Sequence, residues 1–554
     1  MLTDLDRRFD EMLAAVTAPG GRLTIGADAQ GRAIVTNFPA TLPSLLRIFC
    51  EINAGAEALV CGDERLTFAE LDRISECVAH GLIARGIAKG DRVAIAMRNC
   101  PAWVVSYMGI VKAGGVATLL NGWWEAQEME QAIRLAEPRL IIADAPRARR
   151  IADKCSDVAT LAVPIELPVE QAMAELLHDR DEDKVLPEVT PEDDATLLFT
   201  SGSTGESKGA LSTHRAVTTA TYAYATGLIV LRGILEQDGE PPPTPRTLLS
   251  VPLFHVTGEV PVMINSFVIG RCMVVMPKWD VTEALRLIEQ ERITYFVGVP
   301  TMSLELMNHP DRAKYDLSSL RDITAGGAPR PVSHVERLKA EFPNAQPALG
   351  YGLTETNAAG CANYWGNYAA RPASTGRPQK PFIDLVILGS GDTHLAAGEV
   401  GEIGIRSAAN ISGYWRNPEA TKALFTAEGY IRTGDIGYLD DDGYLFIVDR
   451  KKEIIIRGGE NISAAEVEAA CYACPAVAEA SVFGAPDERL GEVPVAVVFV
   501  KDGAKLDEAA LRSFLDGQLA KFKIPKRVIF ANEPLPRLGT GKIDRRALKA
   551  QYAH

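Results

Sequence analysis

The chain has 554 residues, 47% hydrophobic and 23% charged, which is the composition of a globular protein with more than one domain. Its formal net charge of −14 argues against bulk binding to nucleic acid, which requires basic patches. Nine cysteines without regular spacing exclude a secreted disulfide framework and predict a reduced, cytosolic setting.

No segment is typical of a membrane span. The N-terminal stretch MLTDLDRRFDEML lacks the apolar core of a signal peptide. The longest apolar run, WVVSYMGIVKAGGVATLL, is interrupted by Lys112 and two glycines, so it is too broken to cross a membrane. It predicts a buried helix followed by a strand.

Helical and strand patterns alternate along the first part of the chain. TFAELDRISECVAHGLIARG has a helical period and opens on Thr67 with Glu70 three residues later, which predicts a capping box. DRVAIAM predicts a strand, CPAWVVSYMGIVKAGG a helix and VATLLN a second strand. The alternation continues through RLIIAD, TLLFT, TLLSVPL, CMVVMP, ITYFVGVP and LRDITAGGAP. This order predicts an α/β fold with buried, largely parallel sheets.

The pattern changes after about residue 372. Short strands and glycine turns there predict a small antiparallel β-barrel. The charged segment DRKKE, residues 449–453, precedes a compact α+β pattern. We therefore predict an N-terminal domain over residues 1–449, with the barrel from about 372, and a C-terminal domain over residues 450–554.

The stretch TSGSTGESKGALSTH, residues 200–214, gathers hydroxyl groups and glycines around Lys208. Glycines let successive amide N–H groups point into one concavity, and the hydroxyls and the lysine add donors, so the stretch predicts a phosphate site. A serine- and glycine-rich surface turn is the alternative. The spacing is neither that of a Walker A loop nor the G-x-G-x-x-G of a dinucleotide fold.

This stretch and later motifs resemble the adenylate-forming superfamily, which includes acyl- and aryl-CoA synthetases, luciferase and peptide-synthetase adenylation domains. The further motifs, in the order of that superfamily, are AGGAP at 325–329, YGLTET at 351–356, YIRTGD at 430–435, DRKKEIIIRGGENISAAEVE at 449–468 and GTGKIDRR at 539–546. The resemblance is to AMP-dependent acyl-CoA synthetases. It implies a large N-terminal AMP-binding domain and a small mobile C-terminal domain.

The resemblance implies a site for ATP and AMP. The implied nucleotide residues are Thr200, Ser201, Gly202, Ser203, Thr204, Gly205, Lys208, Gly327, Ala328, Pro329, Tyr351, Gly352, Asp435 and Arg450. Tyr351 is expected to offer its ring to adenine, a buried core tyrosine being the alternative. Asp435 is expected to accept two hydrogen bonds from the ribose, with Arg450 as a second contact.

The resemblance also implies catalytic groups. Glu355 is expected to bind Mg²⁺, a hard ion that prefers carboxylate and phosphate oxygens, and Thr354 to donate to the α-phosphate. Lys542 is expected to bridge the acid and the α-phosphate.

The resemblance further implies that the C-terminal domain turns about a hinge at Lys452 after adenylation. Lys542 would then leave the site, and a loop with Gly458 and Gly459 would enter it and admit the pantetheine arm of coenzyme A. Ser463 and Glu466 predict a capping box at the start of the next helix.

The acid itself is less constrained. His255, Val299, Gly326 and Gly352 are expected at the acyl pocket, with His255 at its mouth or, alternatively, a loop histidine. The stretch around His255 has no aspartate to bind an amine, which favours a plain carboxylic acid over an amino acid.

We expect a medium- or long-chain fatty acid, with a cinnamate-type aryl acid second and free coenzyme A as acceptor. A stand-alone enzyme that loads a carrier protein and a non-catalytic nucleotide sensor are the other hypotheses. Trp123 and Trp124 either shape the substrate path or pack in the core. A homodimer is expected without a residue-level argument.

Overall fold

A computed structural model describes residues 1–178, 184–200, 207–239, 244–327, 330–457, 460–516, 518–538 and 542–553. The elements up to residue 200 are α1 (Asp4–Thr17), β1 (Ile25–Ala27), β2 (Ala33–Val35), α2 (Leu42–Ile52), β3 (Glu57–Cys61), β4 (Glu64–Thr67), α3 (Phe68–Ala84), β5 (Arg92–Ala96), α4 (Pro101–Lys112), β6 (Val116–Leu119), α5 (Ala126–Ala136), β7 (Leu140–Asp144), α6 (Ala145–Lys154), β8 (Thr160–Val163), α7 (Val169–Ala172), α8 (Ala174–His178) and β9 (Asp194–Thr200).

The next elements build the second half of the N-terminal region. They are β10 (Lys208–Thr213), α9 (His214–Gln237), β11 (Arg246–Leu249), a π-helix (Gly258–Ile264), α10 (Asn265–Val268), β12 (Cys272–Val275), α11 (Val281–Gln290), β13 (Tyr295–Gly298), α12 (Pro300–Asn308), β14 (Asp322–Gly326), α13 (Val332–Glu341), β15 (Gln346–Tyr351), a 3₁₀ turn (Thr354–Thr356), β16 (Cys361–Tyr364), α14 (Trp365–Ala370) and β17 (Arg377–Pro378).

Two large sheets form this region, as the alternation predicts. One has seven strands in the order β20-β10-β9-β6-β5-β7-β8, where β20 is Gly413–Tyr414. The other has nine, in the order β17-β16-β15-β14-β13-β11-β12-β3-β4. The inner strands of both sheets pair in parallel, and the antiparallel strands lie towards the ends. The predicted α/β fold with buried parallel sheets is confirmed.

The interrupted apolar run is a buried helix and strand. All residues of α4 are buried, Lys112 included, and its ammonium binds the Asp72 carboxylate at 2.6 Å. β6 follows α4 and is also buried. The capping box of Thr67 and Glu70 is present at the start of α3. None of the described helices is both long and apolar enough to span a membrane.

The antiparallel part of the chain contains β18 (Asp384–Leu388), β19 (Gly401–Arg406), α15 (Pro418–Leu424), β21 (Ile431–Leu439) and β22 (Leu445–Arg450). The strands lie in the order β18-β19-β21-β22 and every pair is antiparallel. Within the described residues β18 and β22 are not paired with each other. The expected antiparallel unit is therefore present and contains a four-stranded sheet.

The C-terminal elements are β23 (Ile455–Arg457), β24 (Glu460–Ile462), α16 (Ala464–Ala473), β25 (Val477–Asp487), β26 (Gly491–Val500), α17 (Glu508–Asp516), β27 (Arg527–Ala531) and α18 (Arg545–Tyr552). They form one mixed sheet with helices against it. Their buried apolar residues make clusters of their own, one around Val467 and Val498 and another around Val495 and Leu548.

Candidate active site

The phosphate loop joins two antiparallel strands. Thr200 is the last residue of β9 and Lys208 the first of β10, and these two residues are register partners at the base of the loop. Ser201, Gly202, Ser203, Thr204 and Gly205 lie outside the described residues. The Lys208 ammonium lies 4.8 Å from the ring centre of Tyr414, a distance typical of a cation–π contact.

Tyr414 connects the phosphate loop to the proposed metal ligand. Its hydroxyl donates to Glu355 Oε1 at 2.6 Å, and burial together with the Glu355 charge raises the Tyr414 pKa. Glu355 lies in the 3₁₀ turn that starts at Thr354, and its carbonyl accepts from Ile411 N at 3.0 Å. Thr354 is half-buried. The structure thus places an ammonium and a carboxylate on the same tyrosine.

Tyr414 contacts two predicted site residues, and sequence reasoning missed it. It lies in β20, a strand of only two residues that pairs with β10, where Ala210 is its register partner. A strand this short leaves no alternating pattern, so only the adjacent aromatic pair Tyr414–Trp415 could have drawn attention to it.

A second cluster is centred on Asp435. The Tyr351 hydroxyl donates to Asp435 Oδ2 at 2.7 Å, and Arg450 Nε lies 3.3 Å from Oδ1. Asp435 and Arg450 are register partners on β21 and β22, so the ion pair is built into the sheet. Burial raises the Asp435 pKa, while Arg450 and Tyr351 oppose that rise. The Tyr351 hydroxyl therefore orients the Asp435 carboxylate. This contact is separate from the predicted contact of the Tyr351 ring with adenine.

Lys542 comes from the C-terminal region and reaches the end of β14. A Cβ atom at Gly327 would lie 3.2 Å from both Cε and Nζ of Lys542, and Gly327 has a φ of +73°. Burial, followed by the charge of Arg450, lowers the Lys542 pKa to about 8, and Asp435 partly opposes this. Lys542 therefore lies between the Asp435 cluster and the loop after β14. Ala328 and Pro329, from the same predicted set, lie outside the described residues.

The candidate acyl-pocket residues follow consecutive parallel strands of the nine-stranded sheet. His255 comes after β11, Val299 directly after β13, Gly326 ends β14 and Gly352 directly follows β15. Because the carboxyl ends of parallel strands meet at one edge of a sheet, these residues line a common edge, where open α/β sheets bind their ligands. Gly352 is required there, since a Cβ atom would lie 1.9 Å from the carbonyl oxygen of Ala358.

His255 is a neutral imidazole at this edge. Its Nδ1 accepts from Thr257 N at 3.3 Å. Burial, with a smaller contribution from the charge of Lys542, lowers the His255 pKa to about 3. The histidine therefore offers an uncharged polar group near the Lys542 ammonium, which suits the mouth of an apolar pocket.

The predicted hinge lies in the turn after β22. Lys452 is exposed there, and its neighbour Lys451 binds Glu402 at 3.0 Å. Ser463 caps α16 by accepting from Glu466 N, and its hydroxyl donates to Val448 O at 2.7 Å. The Glu466 carboxylate pairs with Lys523 instead of returning to Ser463, so half of the expected capping box forms.

Two further predicted regions can be placed only in part. Gly458 and Gly459 of the coenzyme A path lie outside the described residues. Trp124 packs edge-on against Phe199 at 5.5 Å, directly before Thr200, and Trp123 lies 5.8 Å from the Arg147 guanidinium. Trp124 therefore packs against the strand that leads into the phosphate loop.

Comparison with known proteins agrees with this geometry. Residues 47–415 match the AMP-binding enzyme family, and residues 466–542 match the AMP-binding enzyme C-terminal domain. A long-chain-fatty-acid–CoA ligase of Bacillus subtilis is 34% identical over 517 residues, covering 88% of this chain and 90% of that protein.

One further relative is named for an aryl acid, and another similar protein has a solved structure with ATP bound. A feruloyl-CoA synthase of an Amycolatopsis species is 35% identical over 489 residues, covering 88% of this chain and 94% of that protein. The crystal structure of ATP-bound MatB from Rhodopseudomonas palustris superimposes with a TM-score of 0.83 at 29% identity, covering 93% and 99% of the two chains. This chain therefore belongs to the AMP-binding enzyme family and is an AMP-forming acyl-CoA ligase.

Proposed function

We propose that this ligase activates a medium- or long-chain fatty acid as its acyl-adenylate and transfers the acyl group to free coenzyme A. The placement of Lys542 is the observation that carries the proposal, because a half-buried ammonium from the C-terminal region reaches the edge where His255 and Gly327 lie. A nucleotide sensor would have no use for a lysine in this position.

In the first half-reaction an oxygen of the substrate carboxylate attacks the α-phosphorus of ATP, and the bond to the bridging oxygen of pyrophosphate breaks. We assign Lys542 to both the carboxylate and the α-phosphate, because one ammonium can donate to several oxygens. Thr354 donates to the α-phosphate. Thr200, Lys208 and the loop between them hold the β- and γ-phosphates, an assignment supported by the position of Lys208 at the base of that loop.

Glu355 fits a magnesium ligand. Its Oε1 accepts the Tyr414 hydroxyl, while within the described residues its Oε2 makes no hydrogen bond. One carboxylate completed by phosphate oxygens and water is the usual coordination of this ion, which would neutralise charge on the departing pyrophosphate. Tyr414 orients Glu355 for that role.

The nucleoside is assigned to the Asp435 cluster. Asp435 accepts from the ribose hydroxyls, Arg450 supports it, and the Tyr351 ring contacts adenine beside Gly327, Ala328, Pro329 and Gly352. The support is the pair of bonds that already fix the Asp435 carboxylate from two sides. A carboxylate held in this way needs little reorganisation to bind a vicinal diol.

In the second half-reaction the sulfur of coenzyme A attacks the acyl carbon, AMP departs and the thiol proton is lost to solvent. We propose that the C-terminal domain, residues 450–554, turns about Lys452 so that Lys542 withdraws and Gly458 and Gly459 line the thiol path. Among the residues that the structure describes, the apolar clusters of this domain contain no residue of the N-terminal domain, which supports a movement of the C-terminal domain as one body. A cytosolic location and a homodimer remain predictions.

The acid is proposed from the residues around His255 and from the named relatives. The segment PLFHVTG has no aspartate near the pocket mouth, and a fatty-acid–CoA ligase is among the relatives at 34% identity. An aryl acid is the second candidate, favoured by a feruloyl-CoA synthase at 35% identity and by the glycines that follow β14 and β15.

Coenzyme-A-dependent release of AMP, measured over fatty acids of several lengths, benzoates, cinnamates and amino acids, tests the proposal. We expect strong turnover with fatty acids of about ten or more carbons and weak turnover with amino acids. Preference for cinnamates would favour the aryl alternative. Pyrophosphate release without any thioester would indicate a carrier-loading enzyme instead.

A further inference from the structure

The π-helix after His255 contains a buried carboxyl group that the reaction does not use. Glu259 is fully buried, and its Oε1 accepts the Tyr107 hydroxyl at 2.8 Å. Within the described part of the chain, Oε2 has no hydrogen-bond partner. A buried polar oxygen without a partner is costly, so such an atom requires an explanation.

Glu259 lies in the helical segment that follows His255, the residue predicted at the mouth of the acyl pocket. Glu259 N donates to His255 O at 3.1 Å, so the two residues are one helical turn apart and lie on the same face. His255 stands at the edge where the predicted pocket residues meet, and Glu259 lies one turn further along the helix. π-Helical turns are rare in proteins, and those that occur are often found at functional sites.

A buried arginine fixes the wide turn. Arg271 Nη2 donates to the carbonyl oxygens of Pro261 and Val262, both at 3.1 Å, and Arg271 Nε donates to Ser266 Oγ at 2.9 Å. Pro261 lies inside the helix and has no N–H to donate. The guanidinium therefore satisfies carbonyls on the wide turn, which holds Glu259 in one position.

A second unpartnered group belongs to Trp103, a neighbour of the same Tyr107. The Trp103 ring stacks on Tyr107 with centroids 5.6 Å apart and planes 13° from parallel. Trp103 Nε1 is buried and, among the described residues, has no acceptor. Tyr107 is thus flanked by an unpartnered donor and an unpartnered carboxyl oxygen. A hydroxyl group, which both donates and accepts, is complementary to this pair, whereas a methylene leaves both unsatisfied.

We propose that Glu259, together with Trp103, is a specificity-determining residue that hydrogen-bonds a hydroxyl group carried by the acyl chain or ring of the acid. The inference rests on the proposed function and narrows its substrate class to hydroxylated acids. Burial raises the Glu259 pKa to about 8, so near neutral pH its carboxyl group is mostly protonated and can donate as well as accept.

Matched pairs of acids test the inference. The kcat/KM of the wild-type ligase is measured with decanoate, with decanoates hydroxylated at successive positions, with cinnamate and with hydroxycinnamates. We expect one hydroxylated acid to exceed its parent by roughly tenfold or more, because an acid without the hydroxyl leaves buried polar atoms unpaired. Glu259→Leu is expected to abolish that preference, and Trp103→Phe to reduce it severalfold.

Asp384→Asn is the matched control. Asp384 is another carboxylate that accepts an aromatic hydroxyl, that of Tyr430 at 2.7 Å, but it lies in β18 of the four-stranded sheet, away from the nine-stranded sheet that carries the predicted pocket residues. The preference should survive this change. Calorimetric binding of the same acids provides a readout without turnover, and Trp103→Phe supplies the comparison if Glu259→Leu does not fold.

The outcomes separate the inference from the proposed function. Equal kcat/KM and equal affinity within every pair, or a preference that persists in both variants, would overturn the role of Glu259 and leave the ligase function intact. A preference seen in binding and lost in Glu259→Leu, without thioester formation from any acid, would support the role of Glu259 and overturn the proposed function.

Discussion

The two sides of the candidate site are built differently. The N-terminal wall consists of His255, Val299, Gly326 and Gly352, which follow neighbouring parallel strands, so the sheet fixes their spacing. The C-terminal side supplies Arg450, at its first residue, and the Lys542 side chain, which lies between β27 and α18. The sheet edge therefore sets the spacing of the N-terminal residues, while the Lys542 ammonium reaches that edge from a segment that follows a different sheet of the chain.

The packing beneath each side follows the same division. Trp103, Tyr107, Phe68, Phe267 and Phe296 are completely or almost completely buried below the N-terminal wall. The C-terminal clusters consist largely of valine, alanine, leucine and cysteine.

Ion pairs supplement this smaller core. Arg545, three residues after Lys542, contacts Glu453 beside the hinge and also Glu468 at 2.6 Å. The first of these ion pairs ties the segment that carries Lys542 to a residue beside the proposed hinge at Lys452.

Replacement of Lys542 by alanine should have the largest effect and should divide the two half-reactions. Loss of one preorganised donor costs about 3 kcal/mol of barrier, so we expect ATP–pyrophosphate exchange to fall by roughly a hundredfold or more. Thioester formation from synthetic acyl-adenylate should change little, because we propose that Lys542 has left the site in that step. Lys549→Ala, an exposed lysine on α18, is the control and should alter neither rate. Equal losses in both half-reactions would contradict the proposal that Lys542 acts only in adenylation.

Gly352→Ala should damage the opposite side of the site. The added Cβ would lie 1.9 Å from the Ala358 carbonyl oxygen, so backbone must shift at the end of β15. We expect the free energy of unfolding to fall by about 3 kcal/mol, with activity lost in both half-reactions. Denaturant unfolding and both rate assays provide the measurement. Gly55→Ala, where a Cβ meets no atom within 4 Å, is the control, and a fully stable Gly352→Ala enzyme would show that the wall is not rigid.

The contrast between local and long-range contacts also explains what the sequence could predict. The strands β5, β6, β7 and β13 were predictable because each is a short apolar run in a regular alternation. The capping box of Thr67 and Glu70 was predictable because both halves lie within one turn.

Contacts between distant residues were less predictable. Ser463 and Glu466 show the same motif, yet Lys523, far along the chain, takes the Glu466 carboxylate. Tyr414 and Glu259 were missed because their roles depend on Glu355 and Tyr107, which are distant in sequence. The short antiparallel strands after residue 372 were predictable, but their order in the sheet was not, since strand pairing is also a long-range property.

The rates of the two half-reactions should also differ in their pH dependence, with a smaller effect than that of the two substitutions. The Lys542 pKa is lowered from its ordinary value to about 8, mainly by burial. The protonated ammonium is the active form, so adenylation should be constant below pH 8 and fall about tenfold per unit above it. The profile of ATP–pyrophosphate exchange from pH 6 to 10 measures this limb. Transfer from synthetic acyl-adenylate should lack the same limb, and a shared limb would show that another group titrates.

Tyr414→Phe should have a smaller effect, because it removes one hydrogen bond from a site that the N-terminal region builds by itself. The variant loses the donor to Glu355 but keeps the ring that faces the Lys208 ammonium. A hydrogen bond to a charged group contributes about 1.5 kcal/mol, so we expect the KM for magnesium-ATP to rise roughly tenfold.

Tyr414→Leu removes both contacts and should raise the KM further, by a few-fold, since an exposed cation–π contact contributes about 0.5–1 kcal/mol. Equal KM values for the two variants would mean that Tyr414 acts only through Glu355. An unchanged KM in Tyr414→Phe would mean that Glu355 is positioned by its own turn, where its carbonyl accepts from Ile411 N, and that the tyrosine serves the phosphate loop alone.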